Sequence, residues 1–86
     1  MSQPVVMYTK TTCPYCVMAK RLLTMRGITF EEINVEKWPD DQRQALMKRS
    51  GMRTVPQIFH GDRLIGGYDD LHALDEKEGN LDSLKA

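Results

Sequence analysis

The apolar positions fall into short blocks whose period changes along the chain. Val5-Val6-Met7-Tyr8 is a continuous, partly β-branched run that leads into the polar Thr9-Lys10-Thr11-Thr12, the pattern of a strand buried on both faces followed by a loop. Pro14 suits the first turn of a helix, where a missing amide costs nothing. From Val17 to Arg26 the apolar Met18, Leu22 and Met25 recur at helical spacing and predict the inward face, with Lys20 and Arg21 left for solvent. Gly27 then reads as the left-handed cap that ends this helix.

A second strand is expected from Ile28 to Val35, in which Ile33 and Val35 share a face and Phe30 lies nearby. Pro39, Asp40 and Asp41 open a second helix that closes at Lys48, Arg49 and Gly51; acidic residues first and basic residues last suit the helix dipole. Val55 to His60 reads as a third strand, interrupted at its start by Pro56. Gly61-Asp62 is a turn, Arg63 to Ile65 a short fourth strand, and Gly66-Gly67 breaks the pattern. Asp69 or Asp70 is expected to cap a third helix that carries Leu71 and Leu74 and stops near Gly79. Leu81 to Ala86 has the composition for one more helical turn.

The order is therefore β-α-β-α-β-β-α. A strand, helix and strand of this length imply a parallel pair with a right-handed crossover. The Gly-Asp turn implies an antiparallel hairpin. With 86 residues and no internal repeat, low-complexity stretch or linker, residues 1–86 are expected to form one α/β domain.

Composition narrows the function classes. Apolar residues make up 41% and charged residues 28%, as in an ordinary soluble globular protein. Twelve basic residues balance twelve acidic ones, so the broad positive field that nucleic acid requires is missing. Val5 to Tyr8 is far too short to cross a membrane. The start Met1-Ser2-Gln3-Pro4 has no signal-peptide pattern, and the end Leu84-Lys85-Ala86 has no lipidation signal. A cytoplasmic monomer with no nucleic-acid or membrane partner is the expectation.

Cys13 and Cys16 are the whole thiol inventory. As a staple their bridge is poorly placed, since closing so short a loop is worth only about 2 kcal/mol before strain. In a reducing compartment such a pair is catalytic or metal-binding. Zinc wants four ligands, and His60 and His72 lack ligand-like spacing, so redox chemistry fits better and no metal is assigned. Two core cysteines fit less well, because Pro14 and Tyr15 make this a capped surface turn.

Position gives the pair its chemistry. At a strand-to-helix junction, free amides and the helix dipole favour an anion, biasing a thiol there towards thiolate. Lys10 can add positive charge. A free thiol of pKa near 8.5 is only about 3% thiolate at pH 7. Lowering that pKa well below 7 raises the fraction roughly 30-fold, but nucleophilicity falls with a Brønsted slope of about 0.4–0.5. Attack therefore gains little, whereas departure from a mixed disulfide becomes easy. The site suits two-way exchange.

Cys13-Pro14-Tyr15-Cys16, then Thr54-Val55-Pro56, then Gly66-Gly67-Tyr68-Asp69-Asp70 resemble the dithiol glutaredoxin pattern in order and spacing, over essentially the whole chain. The resemblance implies a thioredoxin fold, a four-stranded mixed sheet with helices on both faces. It implies glutathione as co-substrate with no bound cofactor, Cys13 as nucleophile and Cys16 as resolving thiol. Pro56 alone reads as a trans proline at a strand start; by resemblance it is cis, with its loop facing the thiols and Val55 offering backbone groups to an extended substrate.

The same resemblance assigns the ligand's two ends. Gly66-Gly67 permits positive φ and close approach, and the amides that open the helix at Tyr68, Asp69 and Asp70 suit the γ-glutamyl carboxylate. Asp70, with Asp69 beside it, takes the ammonium. Lys10 and Arg43 take the glycyl carboxylate, and Tyr15 packs over the ligand. Partners would be disulfide-containing or glutathionylated proteins, ribonucleotide reductase or another reductase among them. Two rival readings stay open: a hydrogen donor reduced by thioredoxin reductase, and a carrier of a glutathione-ligated iron–sulfur cluster. The remaining methionines read mainly as core filler, with Met52 partly exposed; Trp38 reads as packing at a helix entry and both histidines as surface groups.

Overall fold

The computed structural model describes residues 3–85, so the readings made for Met1, Ser2 and Ala86 lie outside the described residues. The elements are β1 (Val5–Thr9), α1 (Pro14–Met25), β2 (Phe30–Asn34), α2 (Asp40–Ser50), β3 (Gln57–His60), β4 (Arg63–Gly66) and α3 (Tyr68–Glu78), with a 3₁₀ turn at Asp82–Lys85. The strands form one mixed sheet in the order β2-β1-β3-β4. β1 runs parallel to β2, with Val5 opposite Phe30, and antiparallel to β3, with Val5 opposite His60. β3 and β4 form the expected hairpin, with an irregularity between Ile58 and Phe59.

The two-residue period of the strands divides the core. Val5 and Met7 join Ala19, Leu23, Ile58, Leu71, Leu81 and Leu84 on the face covered by α1 and α3. Tyr8 joins Val35, Leu46 and Phe59 on the face covered by α2, where Ile33, Trp38 and Val55 pack against them. The unbroken apolar run of β1 thus reflects burial on both sides. Trp38 meets Tyr8 edge-on at 6.0 Å between ring centroids, the packing role expected of it.

Several sequence expectations need correction. Cys16, Ala19 and Leu23 form the buried face of α1, whereas Met18 and Met25 are 43% and 66% exposed. The helix approaches both the sheet and α3, and the small Ala19 permits that approach where the longer methionines would not fit. Met7 is the methionine in the core; Met47 and Met52 are half-buried. The third strand starts at Gln57, after Pro56, and β2 stops short of Ile28 and Val35. The cap of α3 is Gly67, and Asp70 lies inside the helix with its carboxylate reaching back to accept from the Gly67 N–H at 3.2 Å. Gly51 does cap α2 in the left-handed conformation, and Gly27 follows α1 at φ +73°.

Candidate active site

Three chain segments converge where β1 hands over to α1. The first is the loop after β1, tied at its far side by Asn34 Nδ2 donating to Thr11 Oγ1 at 3.2 Å. It delivers Cys13 to the N-cap of α1, with Pro14 as first helical residue. The Cys13 sulfur takes the place that a serine or aspartate oxygen fills in other helix caps: it accepts the Cys16 N–H at 3.1 Å. The first backbone bond of the helix runs from the Val17 N–H to the Cys13 carbonyl at 3.2 Å.

Cys13 and Cys16 are joined as a disulfide, with Cα atoms 5.2 Å apart. Their surroundings differ sharply. Cys16 is 2% exposed, packed beneath the helix start, while Cys13 is half-buried at the rim. An incoming disulfide can therefore reach Cys13 first. Cys16 can meet only what Cys13 already holds.

The second segment runs from Gly51 to Pro56. The Val55–Pro56 bond is cis, as the resemblance implied, and the Val55 carbonyl oxygen lies 3.8 Å from the Cys13 sulfur. The third segment is the β4–α3 junction. Gly66 stands at φ +126°, where an added Cβ would strike the Asp70 carboxylate. Gly67 has an ordinary φ of −93°, so the positive φ allowed to both glycines is used only by the first. The helix bonds of α3 begin with the Leu71 N–H to the Gly67 carbonyl at 3.0 Å, which leaves the amides of residues 68–70 ahead of it, as at any helix start.

Two hollows open beside these segments, the second of them lined largely by α2. One, of about 290 Å³, is lined by Tyr15, Met52, Thr54, Val55, Pro56, Gly67, Tyr68, Asp69 and Asp70. The other, of about 190 Å³, is lined by Lys10, Val35, Asp40, Arg43, Gln44, Leu46, Met47, Arg53, Val55 and Gln57. Val55 borders both. Tyr15, 58% exposed, has its ring 6.1 Å from that of Tyr68, closing the first hollow on the α1 side. The structure thus brings together Tyr15, Thr54, Val55, Pro56, Gly67, Tyr68, Asp69 and Asp70, and separately Lys10, Arg43 and Val55. Arg43 already pairs with Asp40, which occupies part of its charge.

Met52, Arg53, Gln44 and Gln57 also line these hollows, and sequence reasoning gave them no role at a site. Met52 and Arg53 flank the Thr-Val-Pro motif, a signal that proximity in sequence could have supplied. Gln57 had none, since a strand glutamine ordinarily reads as solvent-facing. Neither histidine lines these hollows: His60 ends β3, and His72 on α3 pairs with Glu76 at 3.1 Å with its ring 5.8 Å from that of Tyr68. Among the described residues no group of three or more His, Cys, Asp or Glu side chains is arranged to hold a metal, and no helix is long and apolar enough to cross a membrane.

A disulfide capping a helix, faced by a cis-proline loop on a mixed four-stranded sheet, defines a thiol–disulfide oxidoreductase with the thioredoxin fold. The family model described as Glutaredoxin matches residues 5–65, and the chain belongs to the glutaredoxin family. It is 49% identical over 81 residues to a glutaredoxin of Pseudomonas aeruginosa, covering 94% of each chain. It is 50% identical over 80 residues to glutaredoxin 3 of Escherichia coli, covering 93% of this chain and 94% of that one. Among solved structures it resembles a buckwheat glutaredoxin–glutathione complex at TM-score 0.82 and 32% identity, covering 96% of this chain and 77% of the other.

Proposed function

We propose that this chain is a glutathione-dependent reductase of glutathione mixed disulfides and protein disulfides. The observation that carries the reading is the Cys13 sulfur at the N-cap of α1, accepting the Cys16 N–H at 3.1 Å at the edge of a groove with charged ends. In the reduced protein that amide and the helix dipole stabilise a Cys13 thiolate.

The thiolate attacks the glutathione sulfur of a mixed disulfide. The Cys13–glutathione bond forms, the old S–S bond breaks, and the substrate leaves as a thiolate that takes a proton from water. A second glutathione thiolate then attacks the glutathione sulfur held on Cys13, releasing oxidised glutathione and the Cys13 thiolate. For a protein disulfide, Cys13 forms the mixed disulfide with the protein. Cys16 attacks Cys13, frees the second protein thiol and closes the Cys13–Cys16 bridge, which two glutathiones reduce in turn.

The groove residues have matching duties. Lys10 and Arg43 bind the glycyl carboxylate. Val55, between Thr54 and Pro56, pairs its backbone with the extended tripeptide. Gly67 lets the ligand approach the helix, where the amides at Tyr68, Asp69 and Asp70 hold the γ-glutamyl carboxylate. Asp70 and Asp69 accept from the ammonium, and Tyr15 covers the ligand. The partners are disulfide-bearing and glutathionylated proteins of a reducing compartment, the cytoplasm.

The test is a disulfide-reduction assay run with two electron sources. Turnover with glutathione and glutathione reductase, and none with thioredoxin reductase alone, is expected. The reverse pattern would refute glutathione dependence.

A further inference from the structure

Gln57 is a polar residue buried beside the site: it is 2% exposed at the start of β3, opposite Tyr8. Its Nε2 donates to the Met52 carbonyl at 3.2 Å and to the Thr54 carbonyl at 3.1 Å. Among the described residues its Oε1, though buried, has no hydrogen-bond partner. Turning the amide over would set that oxygen against two carbonyl oxygens, so the observed orientation is the only one that makes bonds. Burying an acceptor without a donor is costly, and the cost falls where both N–H groups are committed to one loop. That loop has no strand ladder of its own between Gly51 and Pro56. It carries Thr54 and Val55 to the groove, and the Val55 carbonyl to within 3.8 Å of the Cys13 sulfur.

We propose that Gln57 is a positioning residue that fixes the Met52–Val55 segment in the register that receives the peptide backbone of glutathione, and so governs selection of peptide-bearing disulfides over small ones. The inference rests on the glutathione reading above and specifies what sets its selectivity. Gln57 acts on the groove, because the Cys16 N–H that the Cys13 sulfur accepts belongs to α1 and stays in place when this loop moves.

Gln57→Leu keeps the approximate size of the side chain while removing both donors and the orphan acceptor together; Gln57→Met does the same with a flexible chain and serves if the first variant misfolds. The expected result is a KM for a glutathionylated peptide raised about tenfold, the scale of one lost hydrogen-bonded register, with kcat within about twofold. The pH profile of Cys13 alkylation and the single-turnover rate with 2-hydroxyethyl disulfide in the absence of glutathione should stay at wild-type values. An unchanged KM, an equal loss on both disulfides, or a displaced alkylation profile would each overturn the proposal. A wild-type protein with no preference for the glutathionylated peptide would instead overturn the glutathione reading itself.

Discussion

Arg26 and Asp75 meet in a two-pronged ion pair, Nε to Oδ1 at 2.8 Å and Nη2 to Oδ2 at 3.0 Å, that pins the end of α1 to the middle of α3. These are the two helices whose N-termini frame the site. Asp75 is 8% exposed, so its charge is satisfied where water hardly reaches, and the paired, parallel geometry is the strongest available to a carboxylate.

Asp75→Asn is expected to lower the melting temperature more than Lys85→Ala, which breaks only the exposed Asp82 contact. The pH dependence gives a second check. Hydrogen bonding from Arg26 holds the Asp75 carboxyl below its usual value. A depressed carboxylate contributes stability above its unfolded pKa, about 3.9, and loses it as pH falls through the lower folded value. The stability gap between wild type and Asp75→Asn should therefore be full at neutral pH and close below about pH 4. Thermal melts between neutral and acidic pH measure it.

Gly66 and Gly67 should respond differently to alanine. At φ +126° a side chain at 66 is strained and collides with the Asp70 carboxylate. Gly66→Ala should cost about 1–3 kcal/mol and raise KM for glutathione by moving Asp70. At 67 an added Cβ would sit 3.5 Å from the Pro56 carbonyl oxygen, an ordinary contact, so Gly67→Ala should fold normally. Denaturant titration of both variants separates them.

The cysteines should divide the two reactions. Cys13→Ser is expected to abolish all turnover. Cys16→Ser should keep deglutathionylation and lose the route that ends in the Cys13–Cys16 bridge, because Cys16 is too buried to meet substrate directly. Glutathione-coupled assays with a glutathionylated peptide and with a protein disulfide read the two branches. Equal inactivation of both variants on both substrates would refute the division.

The cations should contribute unequally. Lys10→Ala is expected to raise KM for a glutathionylated substrate about tenfold, the loss of one charge-assisted contact. Arg43→Ala should cost only about twofold, because its guanidinium is already shared with Asp40. Both effects should shrink at high salt, with kcat unchanged.

Much of this was legible in the sequence, and the parts that were not share a physical cause. β1 announced itself because burial on both faces leaves an unbroken apolar run. Pro14, Gly27 and Gly51 marked helix ends because their backbone constraints are local. The inward face of α1 was misread because hydropathy weighs methionine above Ala19 and Cys16, whereas close approach to sheet and helix selects the small residues. The cap of α3 was misplaced because Asp69 and Asp70 are good capping residues, yet the chain needs the positive φ of Gly66 just before the helix and starts the helix at once after Gly67. Lys10 and Arg43 were brought together by the resemblance alone, and Arg53 beside them was missed, because the cleft forms only when the β1 loop meets α2 and the loop after it. Gln57 could not be found from pattern, since only the tertiary loop above it makes burial of a strand amide favourable.

The proposed chemistry requires the capped sulfur to be anionic at neutral pH. The rate of Cys13 alkylation by iodoacetamide, followed against pH in the reduced Cys16→Ser protein, measures it most directly, because the backbone N–H of residue 16 survives the substitution. A single ionisation well below pH 7 is expected, against about 8.5 for a free thiol. A midpoint at the free-thiol value would contradict it.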